Sequence, residues 1–184
     1  MPRPDTSLKF RDVVTPAGES FVVPQGIQRI DTRSTHGWQV RYQGTKMFSD
    51  GEIGARKALL KATEDLAERI ATMPAPVSLQ RQPSANKTSD LPAGVSGPIL
   101  RTRRSGNSRS ASFSVLLPVY GKPSIIRSIY IGSESTYSER YQGALERAVE
   151  LRADAEMAYA LAATLARRKA ARGLKAAVRR SNAA

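Results

Sequence analysis

The chain has 184 residues, with 29 Lys and Arg against 16 Asp and Glu, a formal net charge of +13, and no cysteine. Disulfides and thiolate metal sites are therefore excluded. No apolar run approaches the roughly 20 residues of a membrane span, and aromatics at 6% of residues keep any core small. The charge suits a polyanionic partner such as nucleic acid, or an anionic membrane surface. The length allows one medium or two small domains. The amino-terminal MPRPDTSLKF has no apolar signal core, so a cytoplasmic, nucleoid-located protein is expected.

Residues 1–24 hold two short apolar runs around Pro16-Ala17-Gly18. This predicts a hairpin or extension that joins the first sheet or lies across its edge. Residues 25–73 read as a sheet followed by a helix. A strand opens at Gly26-Ile27, Ser34-Thr35-His36-Gly37 is a turn, and a second strand covers 38–43. Trp38, Val40 and Tyr42 alternate with Gln39, Arg41 and Gln43, so one face is apolar and the other basic and amide-rich. Gly44-Thr45 turns into a short strand around Lys46, and Ser49-Asp50-Gly51-Glu52 is positioned to cap a helix. That helix carries Ala55, Ala58, Leu59, Ala62, Leu66 and Ile70 on one stripe and ends near Met73, before Pro74 and Pro76.

Residues 74–93 form a linker of Pro, Ser, Gln, Asn and Lys. Residues 94–166 repeat the pattern, with strands over 98–104, 111–120 and 124–132 and an alanine-rich helix from Ser138. Phe113, Val115 and Leu117 face that helix. Residues 125–131 are apolar on both parities, which points to a bulge or an interdomain contact. Arg101, Arg103, Arg104 and Arg109 flank the turn at Ser105-Gly106-Asn107-Ser108. Residues 167–184 read as a basic tail, with seven cations and no acid over 167–180. It is either a solvated, frayed end or a phosphate contact. The expected fold class is thus α+β: two small units, each a three-stranded antiparallel sheet packed on a C-terminal helix, joined by a linker.

Chemistry is sparse. His36 stands alone in a turn, and no phosphate loop, nucleophile elbow or metal-ligand cluster is present. The reading is of a non-enzyme without a cofactor or a small-molecule substrate.

Gly26-Ile27, the basic Arg29 and Arg33, Trp38-Gln39-Val40-Arg41-Tyr42 and the alanines at 55, 58 and 62 together resemble a known pattern. It is that of the DNA-binding domain of plant ethylene-response factors (Apetala-two-like), similar also to the arm-binding domain of tyrosine integrases. The second copy offers Arg101 to Arg104, Phe113 and Tyr130-Ile131-Gly132. The resemblance implies a sheet that enters the major groove of double-stranded DNA and reads bases with Arg and Gln. The implied contacts are Arg29, Arg33, Gln39, Arg41, Gln43 and Lys46 in the first copy, and Arg101, Arg103, Arg104, Arg109 and Arg127 in the second. In the second copy Ser112, Ser114 and Leu116 fill strand positions where contacts belong, so three readings stay open for that unit: reading bases, contacting phosphates alone, or self-association. The function expected is that of a bacterial or phage transcriptional regulator or nucleoid protein. Two other classes stay open: an RNA-binding or ribosome-associated protein, and an oligomerisation module built on the long alanine-rich helix.

Overall fold

The structure, a computed structural model, describes residues 8–102 and 109–183. It is α+β, with three antiparallel sheets and three helices among the described residues. The chain divides into two compact units, one built from residues up to 76 together with 163–183, the other from 77–162.

In the first unit, β1 (Phe10–Val14) and β2 (Ser20–Pro24) form a hairpin that is a sheet of its own. Its turn closes through the Gly18 amide on the Thr15 carbonyl at 2.9 Å, with Gly18 at φ 83°. Strands β3 (Ile27–Asp31), β4 (His36–Arg41) and β5 (Thr45–Ser49) make the second sheet. Helix α1 (Gly54–Thr72) packs against one face of it. The alternation predicted for β4 decides which face. Trp38, Val40 and Tyr42 are buried with Ala58, Leu59, Ala62, Leu66 and Ile70, because only that parity hides the apolar side chains. The hairpin joins the same core through Phe21 and Val23, and the Phe21 and Trp38 rings meet edge to face at 5.6 Å. At Gly37 a Cβ would collide with the Phe48 carbonyl oxygen, so this position takes no side chain.

The expected side-chain cap of α1 does not form. Ile53 occupies the cap position without a side-chain hydrogen bond. The Asp50 carboxylate instead binds Arg29 at 2.6 Å, and an ion pair with a shielded guanidinium outcompetes a cap bond at a half-exposed helix end.

Most of residues 167–184, read from the sequence as a basic tail, is helical. Helix α2 (Tyr137–Ala170) runs through Arg167–Lys169, and α3 (Leu174–Ser181) follows after Gly173. Leu174 and Val178, one turn apart, are buried in the first core against α1 and β2. Asn182 fixes the far end. Its Oδ1 accepts the Val22 amide at 2.8 Å, and its Nδ2 donates to the carbonyls of Val22 and Val178. The Leu–Val spacing that places this helix was present in the sequence; the density of charge around it concealed the stripe.

In the second unit, β6 (Val95–Thr102), β7 (Arg109–Val119) and β8 (Lys122–Ser133) form a three-stranded sheet. Phe113 and Val115 are fully buried with Val95, Ile131, Ala144 and Ala148, and Leu117 packs at the edge of that cluster. The register slips between Ala111 and Ser112. The slip does not account for the two-sided apolar run in β8: Ile125, Ile129 and Ile131 share one parity, with Ile125 and Ile129 opposite Leu117 and Phe113, while Ile126 and Tyr130 have the other parity and stand exposed. Arg152 is buried on α2, bonded to Glu156 and to the Leu116 carbonyl. Gly94 takes a left-handed φ of 79°, which accounts for glycine there, and the Arg152 guanidinium packs close against it.

Candidate functional site

The open face of the β3–β4–β5 sheet is set by its register. Gln28, Gln39 and Met47 stand in one cross-strand row, and Arg41 and Thr45 in another. All have the parity opposite to Trp38 and Val40, hence away from α1. Arg41 is exposed, and its Nε donates to Gln39 Oε1 at 2.6 Å. The two side chains thus form a joined donor and acceptor group held mid-sheet. Gln39 and Arg41 share the open face, as the alternation predicts; their hydrogen bond is an addition of the structure, and Gln28 and Met47 complete the surface. Gln28 was legible only once the β3 to β4 register was known.

Arg29 lies on the other face. It sits opposite Trp38 in the register, with its guanidinium carbon 4.9 Å from the indole centroid. It binds Asp31 at 2.7 Å and Asp50 at 2.6 Å. Burial alone would lower its pKa, but the hydrogen bonds and charges of Asp31 and Asp50 outweigh that and raise it. Asp31 is held below the ordinary aspartate value, first by the Arg29 hydrogen bond. Asp31 also lies 2.9 Å from His36 Nδ1 across the strands. Arg41 therefore has no pairing with Asp31, and the lone histidine serves a turn-side contact.

Of the other expected contacts, Arg33 is exposed in the β3–β4 turn. Gln43 is not on the strand: it takes a left-handed φ of 49° in the β4–β5 turn and donates to the Pro74 carbonyl at 3.2 Å. Strand β4 ends at Arg41, so extending its parity to residue 43 fails at the turn. Lys46 stands opposite Val40, on the α1 side, and binds Asp65 of α1 at 2.9 Å.

In the second unit Arg101 pairs with Ser110 on the face that also carries Ile99, Ser112 and Tyr130. Arg109 and Arg127 have the opposite parity, in register with Thr102 and Val115, and so lie on the α2 side. Arg127 lines a groove there with Ala155 and Tyr159. Arg103 and Arg104 lie outside the described residues. The middle of this open face is uncharged: Ser96, Ser114 and Ser128 form one row, and Leu116 and Ile126 another. Ile126 is 67% and Tyr130 52% exposed. Residues Gln80, Pro83 and Lys87 of the preceding segment share a groove with Ser114, Leu116 and Ile126.

Among the described residues no group of His, Asp and Glu is arranged to hold a metal ion, and no helix is long and apolar enough to cross a membrane. The chain matches no protein-family model, no curated protein and no solved structure.

Proposed function

We propose that the first unit binds double-stranded DNA through the open face of its β3–β4–β5 sheet. The observation that carries this reading is the Gln39–Arg41 pair beside Gln28, fixed on the sheet face turned away from α1. A small sheet fits the major groove. Arg can bond guanine through two donors, and Gln can pair with adenine. The net charge of +13 supplies the sequence-independent attraction to phosphates. Duplex DNA is favoured over duplex RNA because the deep, narrow major groove of A-form RNA does not admit a sheet. On this reading the resemblance to the ethylene-response-factor and integrase arm-binding domains extends to the use of the sheet, with Arg41 and the glutamines as base readers. Arg33 is placed at the rim, to contact phosphate. The buried Arg29 shapes the sheet from behind. A role in transcription or in nucleoid organisation follows as the class of process that uses such binding.

The uncharged middle of the second sheet's open face favours a different partner for that unit. Exposed Ile126, Leu116 and Tyr130 among serines suit a protein surface better than a phosphate backbone.

Selection of duplexes from a random pool, followed by fluorescence anisotropy against the selected and a scrambled duplex, tests the proposal. The wild-type chain is expected to prefer the selected duplex, and Arg41→Ala to lose that preference. A pool from which nothing is enriched, or binding that hardly changes with salt, contradicts it. An excess of RNA that competes better than duplex DNA replaces it by the RNA-binding reading.

A further inference from the structure

We infer that the first unit carries a second nucleic-acid seat on its helical side, so that one unit holds two duplex segments at once. This rests on the reading of the sheet as a duplex-binding face. Helix α1 covers the Trp38 and Val40 side of the sheet, and α3 packs on α1 and β2. The outward side chains of α3 are therefore on the side of the unit away from Gln39 and Arg41. With Leu174 and Val178 turned inward, Lys175 and Arg180 point out, and Lys169 and Arg172 precede them, all exposed. On α1 the exposed Lys57 and Lys61 share their face with the exposed acids Glu64 and Glu68, so the unbalanced charge lies on α3 and the residues just before it. None of Lys169, Arg172, Lys175 and Arg180 makes an ion pair among the described residues. Arg179 reaches Glu64 only at 3.4 Å.

Ordinary helix energetics do not account for this charge. A solvated helix face usually interleaves both signs, yet the chain has no acid after Glu156. Cations favour a helix C-terminus, which suits Arg179 and Arg180. Lys175 in the first turn of α3 is at the wrong end, and that first turn has no acid. The repulsion within the cluster is relieved by a polyanion. The cluster is also held in place, since Asn182 ties the end of α3 to Val22. A rigid array of cations fits a phosphate backbone, whose charges recur at fixed spacing. One short duplex cannot reach both sides of the unit, so occupation of both sides joins two segments.

The test is a two-duplex capture assay on the full chain. One short duplex is fixed to beads, protein is added, and a second, labelled duplex is offered. Wild type is expected to retain the labelled duplex. The combined Lys169→Gln, Arg172→Gln, Lys175→Gln, Arg180→Gln variant, with its fold checked by a circular-dichroism melt, is expected to capture about tenfold less. It should still bind a single duplex with its sequence preference intact. Wild type that binds one duplex but captures no second overturns the inference and leaves the sheet reading standing. Capture that survives in the variant also overturns it, since bridging then comes from self-association. So does loss, in the variant, of flotation with phosphatidylglycerol vesicles while wild type holds one duplex only. Wild type that binds no duplex at all removes the proposed function itself.

Discussion

The two three-stranded sheets have the same strand order and pack the same kind of side chain against a helix, yet their open faces differ. In the first, the row opposite the core holds Gln28, Gln39 and Met47, with Arg41 beside them. In the second, the corresponding surface is a ladder of Ser96, Ser114 and Ser128 next to Leu116 and Ile126. The core faces are constrained by burial and so resemble each other. The open faces are free of that constraint, and they differ. The same contrast divides the arginines. Arg29 and Arg152 are buried and neutralised by neighbouring acids, and only Arg41 and Arg101 among the described strand arginines lie on an open sheet face.

The largest effect should come from the core that the first sheet depends on. Trp38→Ala removes a fully buried ring, its 2.8 Å bond to the Ala55 carbonyl and its contact with Phe21. A loss of about 3–5 kcal/mol is expected. Denaturant unfolding followed by circular dichroism checks it. If the units are energetically separate, the transition belonging to the second sheet should stay in place while the first moves.

Truncation before Leu174 is expected to have an effect of similar size. It strips two buried apolar side chains, each worth about 1.5–3 kcal/mol, and the Asn182 bonds to Val22. A clear fall in the melting temperature of the first unit is expected. A dispensable tail would leave that temperature unchanged.

Replacing Arg29 by Ala leaves Asp31 and Asp50 without their cation, and Asp50 is partly shielded. A loss of about 2 kcal/mol in stability is expected, with site preference retained. Arg41→Ala should show the reverse, about 1–3 kcal/mol off specific binding with the melting temperature hardly changed. Paired anisotropy and thermal melts of the two variants separate a structural arginine from a reading one.

The smallest effect concerns pH. Asp31 has a folded pKa below its ordinary value, so its contribution to stability is complete at neutral pH. That contribution fades as pH falls below about 4, through the folded pKa. Asp31→Asn should flatten the acid limb of a stability-against-pH curve, and an unchanged limb would show that other carboxylates set it.

Much of this architecture was legible from alternation and helical spacing. Trp38, Val40 and Tyr42, the α1 stripe, and Phe113 and Val115 all sit where the periods put them. What was not legible depended on register and competition between partners. Arg29 looked like a strand cation until its pairing with Trp38 put it on the core side. Gln43 looked like the last residue of a face until the strand ended two residues earlier. The folded α3 was concealed because two apolar residues among many cations make a weak stripe, and it took contact with α1 and β2 to make them a core.

Met47 offers the most direct test of the central claim, since it stands opposite Gln39 on the open face of the first sheet. Hydroxyl-radical footprinting of the full chain, with and without a selected duplex, reads that face against Tyr130 on the open face of the second sheet and Met157 on α2, both exposed. DNA binding through the first sheet predicts that the duplex protects Met47 from oxidation and leaves Tyr130 and Met157 as reactive as before. Unchanged oxidation of Met47 on a chain saturated with duplex would contradict it.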